Sequence, residues 1–234
     1  MTRARLLVAD LAGTTVDDPG LVLAAFRAAL DAVDAPQPDE HRLVELMGVD
    51  KREAMARLLG CGPDDPQVDT ALAAFVARAV GDAEQGRYPP LPGVEATLQA
   101  LQDAGIRIAF TTGFGREVLD AIVAANHWER FDQGSVASDE VPRGRPAPDL
   151  VHEAMRRSGV SDPAQVAVVG DTLSDLGCAA AAGAGWAVAV TTGSGRPHEL
   201  QAVPWAVVID RFDELRGLLL GNGEPQLPHQ ERSR

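Results

Sequence analysis

Carboxylates that directly follow short apolar runs are the first residues of this chain that could do chemistry. Asp10 follows residues 6–9, and Asp171 and Asp175 follow residues 166–169. If both runs are neighbouring parallel strands, these carboxylates meet at one edge of the sheet and repel one another unless a cation lies between them. A site of oxygen ligands favours magnesium over zinc. The alternative is that each Asp only caps the helix that follows it.

The elements that would position these carboxylates alternate along the chain. Short apolar runs that end in Gly, Thr or Asp indicate buried parallel strands, and helical patterns lie between them. The predicted strands are 6–9, 106–110, 166–169 and 187–190, with 207–210 as a fifth candidate, and the predicted helices are 94–103, 117–125, 150–157 and 173–182. This alternation predicts an α/β fold built on a doubly wound parallel sheet.

One segment, residues 17–92, interrupts the alternation because it offers helical patterns but no convincing strand. The helical patterns cover 21–33, 41–47, 52–59 and 68–80. We therefore predict a small helical cap domain, 17–92, inserted after the first strand of a Rossmann-like core formed by 1–16 and 93–220. Consecutive prolines exclude helix, so 89–93 is the predicted return hinge. Residues 221–234 are predicted to be a flexible tail.

The composition is that of a soluble globular protein, with 234 residues of which 45% are hydrophobic and 24% charged. A formal net charge of −13 disfavours nucleic acids and anionic membranes as partners. No apolar run approaches the roughly 18 residues of a membrane helix, so we expect a cytoplasmic protein. Cys61 and Cys178 have no paired-ligand spacing and are predicted to be idle thiols.

Four segments resemble the motifs of one hydrolase superfamily. Residues 10–17, DLAGTTVD, resemble the first motif of haloacid dehalogenase-type hydrolases, in the variant with alanine two residues after the nucleophile. That variant looks like phosphonoacetaldehyde hydrolase (phosphonatase) and its relatives. The resemblance extends in order through 111–117, 139–148 and 170–175. It implies a Rossmann-like core with a cap, a bound Mg²⁺, and a small phosphonate or phosphate metabolite as substrate.

The resemblance implies a metal-assisted nucleophile. Asp10 would be both the nucleophile and a magnesium ligand, and the backbone carbonyl of Ala12 and the carboxylate of Asp171 would be further ligands. Asp175 would support the metal site. A carboxylate attacks phosphorus only when the negative charge of the substrate is neutralised, and the cation provides that charge.

A second group of matching positions would hold the phosphoryl oxygens. Thr111, followed by the backbone amides of Thr112 and Gly113, would grip one oxygen. Arg145 would add a planar, always-charged donor at a position where many superfamily members have lysine. For Thr111 taken alone, an ordinary threonine at a strand end is the alternative.

The alanine at position 12 bears on the leaving group. Ordinary phosphatases of the superfamily have an aspartate there, which protonates the departing alcohol and contributes roughly 10² to 10⁴ in rate. Ala12 cannot donate a proton. A phosphonatase does not need that acid, because a lysine condenses with the aldehyde of the substrate and the resulting imine accepts the electrons of the carbon–phosphorus bond.

A lysine is available for that chemistry. Residues 47–51, MGVDK, match the cap segment of the family, with Lys51 at the imine-forming position and Met47 at a substrate-facing one. Lys51 is the only lysine in the chain, and the other basic residues are all arginine, which cannot form an imine. The alternative is an exposed helix lysine, because Arg52 and Glu53 follow it.

Two positions depart from phosphonatase itself. Ala54 stands where a histidine is expected and Gly20 where a cysteine is expected, which leaves the proton transfers around the imine unexplained and points to a relative with a different substrate. Three functions stay open: cleavage of a carbon–phosphorus bond, hydrolysis of a small phosphate ester without an Asp general acid, and non-catalytic phosphate binding. A homodimer formed through the cap is an expectation at the level of the family only.

Overall fold

The protein is built on a five-stranded parallel sheet, as described over residues 3–221 by a computed structural model. The strand order is β2-β1-β3-β4-β5. The strands are β1 (Leu6–Asp10), β2 (Arg107–Thr111), β3 (Val166–Gly170), β4 (Trp186–Val190) and β5 (Val207–Ile209). The α/β prediction with a doubly wound parallel sheet is confirmed, including the candidate fifth strand.

The strand order creates a crevice at the ends of β1 and β3. From β1 the chain first crosses to β2 on one side, and later returns to β3 on the other. At such a switch point the flanking loops diverge, which opens a site beyond the carboxyl ends of the strands. Because Ala9 pairs with Val169, Asp10 and the loop after β3 emerge side by side at this point.

Both faces of the sheet are covered, which explains why the strands read as continuous apolar runs. One apolar cluster contains Leu7 and Ala9 of β1, and a second contains Leu6 and Val8. The helices of the core are α5 (Val94–Asp103), α6 (Arg116–Ala125), α7 (Asp149–Ser158), α8 (Leu173–Ala181), α9 (Pro197–Gln201) and α10 (Leu215–Leu220). The last two are short and were not predicted.

Four helices lie between β1 and α5, in the segment predicted to be a cap. They are α1 (Leu21–Asp31), α2 (Glu40–Val44), α3 (Lys51–Leu59) and α4 (Pro66–Glu84). Helix α4 packs on α1 and α3 within the segment and on α6 of the core. Phe75 of α4 lies 6.0 Å from Phe114, between ring centroids, so the segment and the core share one apolar cluster.

The chain enters and leaves this helical segment through two paired crossings. Val16 forms an antiparallel bridge with Pro90, the amide of Asp17 donates to the carbonyl of Pro89 at 2.9 Å, and that of Leu91 donates to Thr15 at 3.0 Å. The proline-rich stretch 89–93 is therefore held as an extended return next to the outgoing chain. Of the predicted tail, only Gly221 is described; residues 222–234 lie outside the described residues.

None of the helices formed within residues 3–221 combines the length and the apolar character that a bilayer-spanning helix requires.

Candidate active site

Three buried carboxylates converge where β1 and β3 end. Asp10 is the last residue of β1, Asp171 follows β3, and Asp175 lies in the first turn of α8; their exposed fractions are 6%, 3% and 2%. Burial raises the pKa of Asp10 to about 6, with Arg145 opposing the rise and Asp175 adding to it. Burial, followed by repulsion from Asp175 and Asp10, raises the pKa of Asp171 to about 7. The pair resists carrying two negative charges without a counterion.

Arg145 is the one cation in contact with this cluster among residues 3–221. Its Nη1 lies 2.6 Å from Oδ1 of Asp10 and 2.7 Å from Oδ1 of Asp175, and its Nη2 donates to Oγ1 of Thr111 at 2.7 Å. Burial would lower its pKa, but Asp175 and Asp10 outweigh burial and hold it above the usual value. With all three carboxylates ionised, the cluster and its one guanidinium carry a formal net charge of −2 in a buried site.

The other two carboxylates are oriented by neighbouring hydrogen bonds. Oδ2 of Asp175 accepts from the amide and the hydroxyl of Thr172, so Asp175 caps α8 while its other oxygen faces Arg145. Oδ2 of Asp171 accepts from the amide and hydroxyl of Ser194, and Oδ1 accepts from Thr14 at 3.3 Å. Asp175 thus completes the capping box that Thr172 forms at the start of α8 and also pairs with Arg145, so the alternative that it only caps a helix is wrong for this residue.

The donor set fits a divalent cation. Asp10, Ala12 and Asp171, the predicted ligands, line one cavity, and their uncompensated charge matches that of Mg²⁺. The backbone also closes tightly around Asp171, because a Cβ on Gly193 would lie 2.1 Å from its Oδ2. Over residues 3–221, no three His, Cys, Asp or Glu side chains converge on one ion position, so the set depends on two carboxylates and a backbone carbonyl.

The cavity is small and lies between the core and the helical segment. Its volume is about 30 Å³, which is room for one or two water molecules and not for a metabolite. The core contributes charged and polar walls, and the helical segment contributes Met47, Gly48 and Lys51. The walls from the core are Asp10, Ala12, Thr112, Gly113, Phe114, Arg145, Asp171, Thr172, Asp175 and Ser194, with Val22 from α1.

Lys51, the first residue of α3, reaches into this cavity and is only 2% exposed. The alternative that it is an exposed helix lysine is wrong. Its Nζ donates to the carbonyls of Met47 at 2.6 Å and Val49 at 2.8 Å. Burial lowers its pKa to about 8, even though Asp50 and Asp10 act in the opposite direction. The neutral amine is therefore a substantial minority form near physiological pH.

Two aromatic rings that the sequence interpretation missed flank this amine. Nζ of Lys51 lies 5.5 Å from the ring centroid of Phe26 in α1 and 5.5 Å from that of Phe114 in the core. A Cβ on Gly113 would lie 3.2 Å from Nζ and 2.8 Å from the carbonyl of Val49, so only glycine permits this approach. Phe114 could have been found from the sequence, because it directly follows the phosphate-binding candidate Gly113.

The two threonines at the end of β2 take different positions. Thr112 and Gly113 line the cavity, and the Thr112 hydroxyl accepts from the amide of Phe114 at 3.1 Å. Thr111 is buried beside Arg145, which donates to its hydroxyl. Thr112 and Gly113 thus lie on the cavity wall. Thr111 does not line the cavity, but it is hydrogen-bonded to Arg145, which does. Ser194, which orients Asp171, was missed, although it follows the polar triplet after β4 that ends at Gly193.

Comparisons with known proteins agree with this geometry. The model of the family described as haloacid dehalogenase-like hydrolase matches residues 4–183. The chain is 32% identical over 215 residues to "Probable phosphatase IndB" of Dickeya dadantii, covering 91% of this chain and 92% of that protein. It is 31% identical over 198 residues to the phosphonoacetaldehyde hydrolase of Latilactobacillus sakei, covering 75% and 71%.

A solved structure shares the fold. The crystal structure of a hydrolase from Pseudomonas syringae superposes with a TM-score of 0.80 at 22% identity, and the match covers 94% of this chain and 100% of that one. At this identity the likeness concerns the fold alone.

Proposed function

Because the chain belongs to the haloacid dehalogenase-like hydrolases, we propose that it cleaves the carbon–phosphorus bond of phosphonoacetaldehyde or a similar small oxo-phosphonate. Membership makes the chain a hydrolase, which sets aside non-catalytic phosphate binding. One observation carries the choice of bond: the only lysine of the chain is buried, has a lowered pKa and lines the same cavity as Asp10.

Lys51 would prepare the carbon side of the substrate. With a pKa of about 8, about a quarter of its side chains are neutral at pH 7.5, against about 0.1% for an ordinary lysine. The neutral amine attacks the aldehyde carbon, the aldehyde oxygen leaves as water, and an iminium remains. When the carbon–phosphorus bond breaks, its electron pair moves into the iminium, which becomes an enamine.

Asp10 would act on the phosphorus side. Its carboxylate oxygen forms a bond to phosphorus as the bond to carbon breaks, which gives an aspartyl-phosphate that water then hydrolyses. Arg145, which lies 2.6 Å from Asp10, and the backbone amides at Thr112 and Gly113 would hold the phosphonyl oxygens. Mg²⁺ held by Asp10, Asp171 and the carbonyl of Ala12 would supply positive charge that lets two anions approach.

Access to the cavity requires the helical segment to move. A volume of about 30 Å³ is too small for a phosphonate, and the segment is joined to the core through the paired crossings at 15–17 and 89–91. We propose that 17–92 is a cap that opens for substrate and closes over it. Closure brings Met47 and Lys51 to the substrate and excludes water from the first chemical step.

A second candidate function is hydrolysis of a small phosphate ester whose leaving group needs no general acid at Ala12. It is favoured by the similarity to a relative that is named a phosphatase, which extends over 91% of this chain. In this case Asp10, Arg145 and the metal act as above, and Lys51 binds the substrate without forming an imine.

One experiment separates the two candidates. Phosphate release is measured with Mg²⁺ over phosphonoacetaldehyde and a panel of small phosphate esters, and the protein is then treated with borohydride in the presence of phosphonoacetaldehyde. Carbon–phosphorus cleavage predicts phosphate release from the phosphonate and a reduced adduct on the peptide containing Lys51. Turnover of esters alone, with no adduct, would select the phosphatase.

A further inference from the structure

A hydrogen bond joins a side chain of the helical segment to one of the core. Nη2 of Arg196, directly before α9, lies 2.6 Å from Nε2 of His41 in α2. Among residues 3–221 it is the one hydrogen bond between two side chains that crosses this boundary. Neither residue lines the catalytic cavity. The contact therefore bears on how the helical segment is held against the core, and not on the reacting atoms.

The chemistry of the pair determines which form of His41 makes the contact. A guanidinium has only donors and stays charged at any ordinary pH. Nε2 of His41 must therefore be the acceptor, which requires a neutral ring with its proton on Nδ1. That Nδ1 lies 3.5 Å from Oε1 of Glu45, one turn along α2. A second proton on the ring would place a cation against Arg196 and break the contact, while the contact with Glu45 would remain.

The core half of the contact is held rigidly. Two residues before Arg196, the amide and the hydroxyl of Ser194 donate to Oδ2 of Asp171 at 2.7 and 3.1 Å. A Cβ on Gly195 would lie 1.9 Å from the carbonyl oxygen of Asp171, so the backbones are in close contact. Nη1 of Arg196 lies 3.1 Å from Oε1 of Glu199, which leaves Nη2 for the helical segment. The guanidinium therefore has a defined position on the core.

The contact lies beside a cavity that adjoins the catalytic one. This adjoining cavity has a volume of about 290 Å³, and His41 and Arg196 are both on its wall. Gly48, Thr172 and Ser194 belong to the walls of both cavities. Separation of His41 from Arg196 would widen the adjoining cavity next to the catalytic one. A phosphonate needs such a widening, because the catalytic cavity itself has a volume of only about 30 Å³.

The charged groups around His41 come from three parts of the molecule. They are Glu45 and Arg42 on α2, Glu40 with its partner Arg27 from α1, and Arg196 with Glu199 from the core. Of the two groups in contact with the ring, Glu45 favours the protonated form and Arg196 disfavours it. Only Arg196 belongs to the core. Protonation of the ring therefore weakens the attachment of α2 to the core and leaves the contact within α2 in place.

We infer that Arg196 and His41 form a latch, which holds the helical segment closed over the catalytic cavity and releases it when His41 takes up a second proton. The inference rests on the cap movement of the proposed function and not on which phosphorus bond is cleaved. Both are positioning residues. The His41 side chain is 60% exposed, so it exchanges protons with solvent while the latch is closed. Histidine changes its charge between pH 5 and 8.

Lys51 reports the opening of the latch directly. It is the only lysine of the chain and is 2% exposed, so its amine reacts with a reagent when the helical segment has opened. Formaldehyde with cyanoborohydride methylates accessible amines, and the rate at the peptide that contains Lys51 is followed by mass spectrometry from pH 5.5 to 8. Rates are compared between proteins at the same pH, so the ionisation of Lys51 cancels. The measurement needs neither substrate nor metal.

Two variants of the latch make opposite predictions. Arg196→Met keeps the apolar stem and removes the donors. Lys51 of this variant should react about fivefold faster than in the wild type at pH 8, which is the factor that one net hydrogen bond contributes. At pH 5.5 the two rates should be equal, because the wild-type latch is released. His41→Gln keeps an acceptor that takes up no proton, so it should match the wild type at pH 8 and react about fivefold more slowly than the wild type at pH 5.5.

Two exposed residues of the core offer matched controls. Arg156→Met breaks an exposed ion pair with Glu153 in α7, which has the same three-residue spacing as the pair between Arg196 and Glu199. His198→Gln alters an exposed histidine that lies 4.0 Å from Glu199. Neither variant changes the latch, so both should follow the wild type at every pH.

The outcomes distinguish the latch from the cap movement. Equal rates for Arg196→Met and the wild type at pH 8, both faster than global unfolding allows, would overturn the latch and leave the cap movement standing. A ratio that stays fivefold down to pH 5.5, or a His41→Gln protein that follows the wild type at that pH, would overturn release by protonation. If Lys51 reacts only through global unfolding, with the full dependence of the rate on urea, both the latch and the cap movement are wrong.

Discussion

The two sides of the catalytic cavity treat buried charge in opposite ways. On the core side, one guanidinium pairs with two of three neighbouring carboxylates, and burial raises the pKa values of Asp10 and Asp171. On the side of the helical segment, one ammonium lies among two carbonyls and two rings, and burial lowers the pKa of Lys51. Desolvation acts against charge on both sides.

The chemical consequence differs because only one side can recruit a counterion. The carboxylates can keep their charge by binding a divalent cation, which prepares a nucleophile for an anionic substrate. Within residues 3–221 the lysine has no carboxylate in contact, and its lowered pKa of about 8 makes the neutral amine available to a carbonyl group. If this division is correct, variants on one side should leave the chemistry of the other side intact.

The largest effect should come from Asp10→Asn. The amide cannot form the aspartyl-phosphate, so phosphate release from any substrate should fall on the order of 10⁶-fold, as for other lost nucleophiles. The borohydride adduct at Lys51 should still form, because imine formation does not use this carboxylate. Phosphate release that persists in Asp10→Asn at more than a hundredth of the wild-type rate would defeat the mechanism on the core side.

Lys51→Arg should abolish the chemistry on the side of the helical segment and leave the core side intact. The charge is kept, but arginine forms no imine, so we expect no adduct and at least a roughly 10³-fold loss of carbon–phosphorus cleavage. A matched control is the double variant Lys51→Arg with Arg52→Lys, which restores a lysine one position away, beside the exposed ion pair with Asp69. An adduct on that displaced lysine at the wild-type rate would show that burial is not what makes Lys51 reactive.

Sequence could predict the core side better than the helical side. A buried parallel strand is recognisable in the sequence as a short apolar run. The positions of Asp10 and Asp171 at strand ends could therefore be predicted from the local hydrophobic pattern. The guanidinium of Arg145 between Asp10 and Asp175 did not, because its position depends on the irregular chain between α6 and α7. Helices α9 and α10 were missed since five or six residues are too few to show a helical period.

Lys51 shows why the helical side was harder to read. Its neighbours Arg52 and Glu53 are charged, which favours an exposed face, yet the first turn of α3 points inward. The two rings beside its amine come from α1 and from the loop after β2, which are distant in sequence. Burial of that kind is set by tertiary packing, so the resemblance to the family and the presence of only one lysine suggested a role for Lys51 but not its environment.

Magnesium should stabilise the core side measurably. At a concentration 1,000-fold above its Kd, a ligand of the folded state adds about 4 kcal/mol to the free energy of unfolding. We expect most of this gain to be lost in Asp171→Asn, measured by thermal unfolding at pH 7.5 with and without Mg²⁺. In the absence of metal the variant should be at least as stable as the wild type, because it removes a charge that burial and two carboxylates oppose. Equal stabilisation of both proteins by Mg²⁺ would exclude Asp171 as a ligand.

The smallest expected effect concerns the pH dependence of stability on the helical side. The pKa of Lys51 is about 8 in the folded protein, below the ordinary lysine value of 10.5, so the folded state loses its proton first as pH rises. Below pH 8 both states carry the proton, and the folded state bears the whole cost of the buried charge, which is about 3 kcal/mol for this difference in pKa.

Between pH 8 and 10.5 the unfolded chain binds more protons than the folded protein. The contribution of Lys51 therefore increases the free energy of unfolding as pH rises. Lys51→Met removes this contribution and leaves the carbonyls of Met47 and Val49 without their donor, a loss that does not depend on pH. The difference in the free energy of unfolding between wild type and variant, measured with urea, should therefore shift in favour of the wild type by most of that amount from pH 7 to 10. A difference that stays constant over this range would mean that Lys51 keeps an ordinary pKa, and the division between the two sides of the cavity would not hold.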